Sequence, residues 1–492
     1  MKISNLTLIS IISACLLSSC FGIDEGNLRK LAPIAFNDVP SQIDVSLGEV
    51  LIYDKLEVIS EKPVTYQWAY GKKAANAKHE YDMESMEIIS SEPQINYTFS
   101  KLGSYILRLR VDNGESIEYK YFTLNVNSGL DEGLLILSSD EGGRSVLGFI
   151  KTRSEDEKDR GAKEVWEDVF RTINPDTELS HGSSLFLSSF TSGGISYNHL
   201  LLSTADEHGN IYDIEPKTMN LVMATPMKDQ YGTWCCDFSG RQTAATGAYT
   251  FIRAADGRVF RHDLFTPFLT ERTDVASTAG TVGYSKNILY GTSATDNIKS
   301  VFYTETMLCQ PDNNGSTILR TMPAGWKIVN FFSDRDANRT YILLRSDADP
   351  RSYAIKYTTA SLGALQDVSE FTAESVNMDI NSVFCSSCHS NDVYYTYDNA
   401  IYRWSMTGKP AESPTFRLPA GEQICDIATN YMGSSSIAGA ETLLYVATWN
   451  PSRSGDMNGS IYVYDIATDT LQNVYEGVCY KTARILYKYR IS

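Results

Sequence analysis

The chain has 492 residues and a formal net charge of -17 at pH 7. Its length is sufficient for two or three domains, and its acidic surface argues against a nucleic-acid partner, because the phosphates would be repelled. The 30 tyrosines suit β-sheets and binding faces.

Residues 1–19 are predicted to be a signal peptide. Lys2 supplies the positive start, and the apolar run LTLISIISACLLSS is too short for an ordinary membrane span. The run ends in Leu17-Ser18-Ser19-Cys20, which resembles the lipobox of bacterial lipoproteins. The resemblance implies lipid attachment at Cys20, whose thiol takes a diacylglycerol; an ordinary secretory signal that contains a cysteine is the alternative. Acyl chains such as palmitate anchor a protein with about 0.8 kcal/mol per buried methylene.

Residues 20–32 are predicted to be an acidic tether. Asp24 and Glu25 lie shortly after the cysteine, which is similar to the acidic export signal of Bacteroidota surface lipoproteins, although Phe21, Gly22 and Ile23 intervene. A solvated linker that holds two acidic residues by chance is the alternative. Together with the lipobox, the tether predicts a lipid-anchored outer-membrane protein that is exposed at the cell surface.

Residues 33–128 are predicted to form a separate β-sandwich, because several short strands with turn residues between them fit the length of one such domain. The segment Gly103–Asn113, GSYILRLRVDN, resembles the signature of PKD-type immunoglobulin-like domains. The resemblance implies that Tyr105 anchors a corner and that Trp68 is the central core aromatic. The alternative is that both stack on a ligand. Such a module would serve as a spacer above the membrane.

Residues 133–492 contain a repeated hairpin. Each copy has an apolar strand, a turn rich in Gly, Ser, Asn and Asp, and a second strand that opens, in most copies, with an apolar residue followed by an aromatic one. The clearest copy spans Leu443–Thr470, and copies recur about every fifty residues. The second residues of the seven pairs are Leu147, Tyr212, Phe260, Phe302, Tyr353, Tyr402 and Tyr462.

A single hairpin cannot bury both of its faces, so the copies must stack on each other. Radial stacking, with one four-stranded sheet per copy, predicts a seven-bladed β-propeller over residues 133–492. The final segment ARILYKYRIS alternates Ile485 and Tyr487 with Arg484 and Lys488. It is expected to be a closing strand that pairs with the first blade and removes an exposed edge. Two β-sandwiches in series are the alternative.

The order of lipobox, acidic tether, sandwich and propeller is similar to that of the PKD-like family lipoproteins of Bacteroidota. Members of that family are typically encoded beside a SusC-type TonB-dependent transporter and its SusD-type lid lipoprotein. The resemblance therefore implies a surface accessory that helps to capture a nutrient, oligopeptide or glycan, for import. It supplies no catalytic, cofactor-binding or metal-binding residues, and none is predicted.

One short motif points to a different chemistry. Cys385-Ser386-Ser387-Cys388-His389 matches the C-x-x-C-H pattern of covalent c-type haem, with two thiols for the vinyl groups and an imidazole for the iron. The motif lies between predicted strands of one blade, whereas c-type haem domains are helical, so a chance match is favoured. Zinc has less support, because no second pair of ligands occurs at metal spacing.

The remaining cysteines show no disulfide framework. Their odd number leaves at least one unpaired, and Cys385 with Cys388 is either a disulfide or two buried thiols. The seven cysteines besides Cys20 in the mature chain are Cys235, Cys236, Cys309, Cys385, Cys388, Cys425 and Cys479.

Two kinds of oxygen-rich segment could be taken for calcium sites. Asp334-Arg335-Asp336-Ala337-Asn338 begins like a D-x-D-x-N loop, but Arg339 and Arg345 stand where that loop needs glycine and glutamate. The turns Asp312–Gly315 and Asp456–Gly459 are better explained as ordinary tight turns. No metal site is predicted.

Hydrolase motifs are absent from the sequence. It has neither a G-x-S-x-G elbow nor an H-E-x-x-H helix, although paired carboxylates on different blades would leave no local spacing. Trp234, Trp326 and Trp449 either stack on a ligand or cap a blade's core. The charged insertion Ser154–Arg171 is a solvated loop, or a helix around Trp166 whose apolar side docks on a partner.

The sequence therefore predicts a non-catalytic outer-membrane surface lipoprotein that binds a nutrient or docks on a transporter. The first alternative is a propeller-type hydrolase that acts on the same nutrient. The second is a c-type haem electron carrier, which only the stretch Cys385–His389 supports.

Overall fold

A computed structural model of the chain describes residues 31–46, 49–73, 85–99, 101–159, 161–192, 195–244, 247–263, 267–271, 287–292, 298–303, 307–312, 315–334, 339–359, 364–379, 381–387, 392–432 and 439–490. The elements in these ranges are nearly all β-strands, which confirms the all-β class. The chain divides into two compact units, Met1–Gly129 and Leu130–Ser492. Within the described ranges, no helix is both long enough and apolar enough to cross a bilayer.

The N-terminal unit contains nine strands within the residues that the structure describes. They are β1 (Ile34–Phe36), β2 (Gln42–Ser46), β3 (Val50–Tyr53), β4 (Val58–Ser60), β5 (Thr65–Gly71), β6 (Glu87–Ser90), β7 (Ile95–Thr98), β8 (Gly103–Asp112) and β9 (Ile117–Asn127). Five of them form one sheet in the order β2-β9-β8-β5-β6, in which β2 runs parallel to β9. The pairs β3-β7 and β1-β4 form two smaller sheets.

The inner face of the five-stranded sheet packs on residues of both smaller sheets to form one core. In β8, Leu107, Leu109 and Val111 are fully buried, because side chains of a strand alternate between its two faces. Trp68 of β5 is also fully buried, and its Nε1 donates to the carbonyl of Glu92 at 3.1 Å. The core position expected for this tryptophan is therefore observed.

The C-terminal unit contains seven sheets, numbered here in chain order, among the described residues. Sheet 1 comprises β10 (Gly133–Ser139), β11 (Arg144–Lys151), β12 (Val165–Trp166), β13 (Leu179–Ser180) and the last strand of the chain, β38 (Lys481–Lys488). Sheet 2 comprises β14 (Gly182–Ser192), β15 (Ile195–Thr204), β16 (Asn210–Ile214) and β17 (Leu221–Pro226). Sheet 3 comprises β18 (Cys235–Ala244), β19 (Gly247–Ala254), β20 (Val259–Asp263) and β21 (Leu269–Glu271).

Sheets 4 to 7 repeat the same sequential order of four antiparallel strands. Sheet 4 comprises β22 (Asn287–Thr292), β23 (Ile298–Tyr303), β24 (Met307–Asp312) and β25 (Gly315–Thr321), and sheet 5 comprises β26 (Trp326–Asp334), β27 (Arg339–Ser346), β28 (Ser352–Thr359) and β29 (Gln366–Thr372). Sheet 6 comprises β30 (Phe384–Ser386), β31 (Val393–Tyr397), β32 (Ala400–Trp404) and β33 (Phe416–Arg417). Sheet 7 comprises β34 (Gln423–Thr429), β35 (Leu443–Trp449), β36 (Gly459–Asp465) and β37 (Thr470–Cys479). The short helices are α1 (Glu155–Asp159), α2 (Val169–Ile173), α3 (Met227–Tyr231) and α4 (Ala373–Val376).

The repeated hairpin is the second and third strand of each of sheets 2 to 7. In several copies an aspartate stabilises the turn of the hairpin, because its carboxylate oxygen accepts a hydrogen bond from the backbone N–H two residues later. Asp206 accepts from the N–H of His208 at 3.0 Å, and Asp256 accepts from that of Arg258 at 3.1 Å. The large side chains predicted to open the third strand are buried as expected, at 0% exposure for Phe260 and 4% for Tyr462. Burial of one such side chain contributes about 1.5–3 kcal/mol.

The first strands of neighbouring sheets contact each other in series. β14 contacts β18, β18 contacts β22, β22 contacts β26, and β30 contacts β34. Sheets 5 and 6 share a core that includes Phe332 of β26 and Tyr395 of β31. The unit is therefore a β-propeller, in which each sheet buries its faces against its neighbours.

The last strand closes this series. β38 pairs with β10 along Gly133–Ser139 and contacts both β34 and β14, so the expected closing strand is observed. Ile485 and Tyr487 are buried in a core shared by sheets 7 and 1. Lys488 departs from the expected alternation, because it is 1% exposed where the pattern predicts an exposed side chain.

Candidate functional site

Polar residues recur at one position of the propeller's innermost strands. These are the first strand of each of sheets 2 to 7 and, in sheet 1, β38. In five of these strands, as far as the structure describes them, a β-bulge lies near the start of the strand and a polar residue comes directly after it. A bulge bends its strand and re-aims the next side chain. The five residues are Ser184, Asp237, Asn330, Asp426 and Arg484.

Four of these residues form one interacting group, which we call the axial cluster: Ser184, Asp237, Asp426 and Arg484. The hydroxyl of Ser184 in β14 donates to Oδ1 of Asp237 in β18 at 3.1 Å. Nη1 of Arg484 in β38 lies 3.9 Å from Oδ1 of Asp426 in β34. The charge of Asp237 acts on both Asp426 and Arg484, so groups from four sheets interact at the middle of the ring.

Asp426 is the most buried acid of the cluster, with 5% of its side chain exposed. Burial raises the pKa of Asp426, and the charge of Asp237 adds to this effect. Arg484 and the backbone N–H of Ile485, which donates to Oδ2 at 2.8 Å, act in the opposite direction. Burial outweighs them, because the arginine approaches no closer than 3.9 Å.

Arg484 is the solvent-accessible cation of the cluster, with 44% of its side chain exposed. Because β38 belongs to the innermost strands, this exposed side chain borders open space at the middle of the ring. The carboxylates of Asp426 and Asp237 raise the pKa of Arg484. Its guanidinium keeps donors free for a carboxylate or carbonyl ligand, because five N–H groups exceed what one long contact uses.

Comparison with known proteins gives likeness of fold only. No protein-family model matches the chain, and no curated protein matches it. A quinoprotein alcohol dehydrogenase-like protein from Bacteroides thetaiotaomicron is 14% identical with a TM-score of 0.46, over 94% of this chain and 100% of that one. The Cps50 (Swd1) β-propeller domain from Myceliophteria thermophila is 10% identical with a TM-score of 0.38, over 70% of this chain and 97% of that one.

A dihydro-heme d1 dehydrogenase, NirN, is also 10% identical with a TM-score of 0.38, over 77% of this chain and 73% of that one. Likeness at this level does not assign an activity or a ligand, because one fold hosts many functions. The comparisons therefore do not show whether this chain is an enzyme, and the question rests on its own residues.

The cysteines are distributed over several sheets. Cys235 and Cys236 lie in β18, Cys425 lies in β34 and Cys479 ends β37, and all four carry free thiols. Burial raises the pKa of Cys425 to about 11 and that of Cys479 to about 12. These two thiols are therefore protonated at neutral pH and unreactive. The side chain of Cys309 lies outside the described part of the chain.

The haem-like motif is only partly described. Cys385 lies in β30. Cys388 and His389 lie outside the described residues, as does the predicted lipid-attachment residue Cys20. The haem hypothesis and the lipid anchor therefore remain predictions.

The oxygen-rich segments are not assembled into an ion site in the described ranges. Asp334 ends β26, and residues 335–338 lie outside the described residues. Asp312 ends β24, and residues 313–314 also lie outside the described residues. Where side chains are described, no three His, Cys, Asp or Glu residues are grouped as a metal would require.

The three tryptophans that were candidates for ligand stacking or core capping have different surroundings. Trp234 is half-buried beneath Nζ of Lys228, 5.2 Å from its ring centre. Trp449 is likewise half-buried, with Nζ of Lys481 at 5.0 Å. Trp326 opens β26 and packs against the core of sheet 5. Two of the three rings thus have a lysine over one face.

The charged insertion Ser154–Arg171 is neither a solvated loop nor a free docking helix. It folds as α1, β12 and the start of α2, and Val169 and Phe170 are buried in the core between sheets 1 and 2. Trp166 packs on Phe149 with ring centres 5.7 Å apart. Its apolar side is used within the fold, because sheet 1 would otherwise expose Phe149.

Proposed function

We propose that this chain is a non-catalytic lipoprotein of the outer-membrane surface that assists a SusC/SusD-type TonB-dependent importer by binding its nutrient. The lipobox at Cys20, the acidic tether and the family resemblance support the location and the partners, namely the transporter and its lid lipoprotein. The seven sheets correspond to seven blades in this proposal. The N-terminal unit corresponds to a PKD/Ig-like sandwich, supported by Tyr105, whose hydroxyl donates to the carbonyls of Lys101 and Leu102 at 3.1 and 3.2 Å.

The axial cluster is the observation that carries the binding role. It combines the carboxylates of Asp237 and Asp426 with the exposed guanidinium of Arg484 in a region open to solvent. Carboxylates hold a free amino group, and a guanidinium holds a carboxylate in a charge-assisted pair. This combination fits the two charged ends of an oligopeptide better than a neutral glycan.

Calorimetric titration of the purified chain with a tripeptide tests this role. Binding of the free tripeptide is expected, and Arg484→Met should weaken it about tenfold or more, since a hydrogen bond to a charged group contributes about 1.5–3 kcal/mol. The matched control is Arg417→Met, which removes an exposed arginine from β33, the outermost strand of sheet 6. Equal binding of the N-acetylated, C-amidated tripeptide, or an unchanged affinity of Arg484→Met, would contradict the assignment.

Association with the importer is tested by isolating the tagged chain from outer membranes. The transporter is expected to co-purify with the wild type and not with Cys20→Ala, which cannot take lipid. Recovery of the chain without any transporter would argue against the accessory role.

A hydrolase acting on the same nutrient is the second candidate. The observation that favours it is the approach of Asp237 and Asp426, two carboxylates from different sheets, one of them with a raised pKa. A pair of carboxyl groups in unlike environments is what glycoside hydrolysis uses. Turnover of oligosaccharides that is lost in Asp426→Asn would establish this function in place of the binding role.

A further inference from the structure

A second surface with binding chemistry lies on the N-terminal unit. The outer face of its five-stranded sheet carries cross-strand rows, and side chains directly opposite each other share a face. Gln67, Arg110 and Tyr119 form one row, and Arg108 with Tyr121 belongs to the next. We call these five residues the Arg108 platform.

Arg108 is the unusual member of the platform. Its Nε is buried and has no hydrogen-bond partner, and no carboxylate of the described residues pairs with its guanidinium. Its observed contact is with the ring of Tyr119, whose centre lies 5.4 Å from Cζ. Arg110, by contrast, donates to Oδ2 of Asp112 at 2.6 Å. A buried, unpaired donor is costly to maintain, so an anion that reached the guanidinium of Arg108 would be favoured.

The tyrosines beside Arg108 offer flat apolar area. Tyr119 is 42% exposed, and its ring lies 6.2 Å from that of Tyr121 with an angle of 25° between the planes. Two nearly parallel, stacked rings on a sheet present an amphipathic surface with apolar carbon atoms and polar hydroxyl groups. The polar amide of Gln67 lies in the same row as Tyr119.

We propose that the Arg108 platform binds a glycan chain that carries carboxylate groups, as uronic acids do. A sugar ring would pack on the exposed part of Tyr119, and a carboxylate would accept hydrogen bonds from the guanidinium of Arg108. Arginine suits this role because its planar fork matches a carboxylate and it stacks on aromatic rings at the same time. This surface goes beyond the proposed function, because it lies on the other unit and would stand if the axial cluster bound nothing.

Charge distinguishes this ligand from a membrane surface. Asp112 neutralises Arg110, so the platform offers a single unpaired cation. Attraction to anionic lipid needs a cluster of basic residues, and the formal charge of -17 opposes it. A glycan with separate carboxylates needs only local pairing, because charges beyond about 8 Å are screened at physiological salt.

Titration of the purified full chain with oligogalacturonate and with its methyl ester tests the proposal, since the ester differs only in masking the carboxylates. The acid is expected to bind at least about tenfold more tightly than the ester. Arg108→Gln should lose about tenfold in affinity for the acid, and Tyr119→Ala should weaken both ligands. The matched control Tyr397→Ala, which removes an exposed tyrosine from the other unit, should change neither.

Each other outcome overturns the proposal. Equal binding of acid and ester, unchanged affinity of Arg108→Gln, or no binding of either would exclude a carboxylate site. Binding to phosphatidylglycerol vesicles that depends on Arg108, without binding of the oligosaccharide, would replace it with a lipid site. Tyr119→Phe keeps the ring and is expected to retain binding, and loss of binding in this variant would contradict packing of the sugar on the ring.

Discussion

The backbone N–H of Ile485 donates to Oδ2 of Asp426 at 2.8 Å and joins the last strand of the chain to the first strand of sheet 7. The same strand pairs with β10 of sheet 1. One hydrogen bond thus connects the seam of the ring with the most buried acid of the axial cluster. Ring closure and site assembly depend on the same strand.

Removal of the Asp426 carboxylate should weaken this seam. Asp426→Ala leaves the N–H of Ile485 buried without an acceptor, and we expect a loss of about 2 kcal/mol in the free energy of unfolding of the C-terminal unit. Asp426→Asn keeps an oxygen in place and removes a charge whose burial is unfavourable, so it should lose less than half as much. Denaturation by urea measures both, and equal losses would contradict the hydrogen bond's role.

Lys488 should make stability depend on pH. Burial lowers its pKa from 10.5 to about 8, against the opposing charges of Asp131, Glu215 and Glu132. Between about pH 8 and 10.5 the unfolded chain then binds more protons than the folded one, so the contribution of Lys488 to stability rises with pH by at most about 1.4 kcal/mol per unit.

The test measures the free energy of unfolding of the wild type and of Lys488→Met from pH 7.5 to 9.5 and compares their difference at each pH. The buried thiols Cys425 and Cys479 have raised pKa values and give the opposite slope at higher pH, but they are present in both proteins and cancel. The difference should grow in favour of the wild type as pH rises. A constant difference would show that Lys488 titrates normally.

The Glu422 network should stabilise the hairpin of sheet 7. Glu422 is 4% exposed and accepts hydrogen bonds from Thr448 at 2.6 Å, Asn450 at 3.1 Å and Arg453 at 2.7 Å. Glu422→Gln removes the charge opposite Arg453 and should lower the free energy of unfolding by about 2–4 kcal/mol. The comparison is Glu412→Gln, which breaks the exposed pair with Lys409 and should leave stability unchanged. Similar effects of the two substitutions would show that burial does not matter here.

Tyr105 should stabilise the N-terminal unit through its hydroxyl. Tyr105→Phe removes the bonds to the carbonyls of Lys101 and Leu102 and should lower the unfolding free energy of that unit by about 1 kcal/mol. Tyr119→Phe, on the exposed face, should have no measurable effect. Thermal unfolding of the two variants gives the comparison. An unchanged stability of Tyr105→Phe would contradict the stabilising role of the Tyr105 hydroxyl.

The hairpin repeat and the closing strand were predictable because their signals are local. An apolar-aromatic pair after a polar turn specifies a buried strand start, as Tyr212 and Tyr462 show, and alternation over ten residues specifies β38. The burial of Lys488 was not predictable, because it depends on the backbone carbonyls of Leu130 and Asp131, which accept from Nζ. These partners lie at the opposite end of the unit in sequence.

The axial cluster could not be found from spacing. Ser184 and Arg484 are 300 positions apart in the numbering, and only closure of the ring brings their strands together. The signal available in each strand, a polar residue one position after a bulge, depends on a bulge that the sequence does not mark. The same is true of the Arg108 platform, since the alternation of β8 predicts that Arg108 faces outward but not that it lacks a partner.

Hydrogen exchange with mass spectrometry of the intact chain tests ring closure most directly, because protected amides report stable strand pairing. If β38 closes the propeller, peptides that cover Lys481–Lys488 and Gly133–Ser139 should exchange as slowly as β15 and β35, which are the second strands of sheets 2 and 7 and pair on both edges. Deletion of residues 481–492 should then release protection in β10 and at the start of β34. Exchange of Lys481–Lys488 at the rate of an unstructured tail, in a chain whose other sheets stay protected, would contradict the closed ring and the site that depends on it.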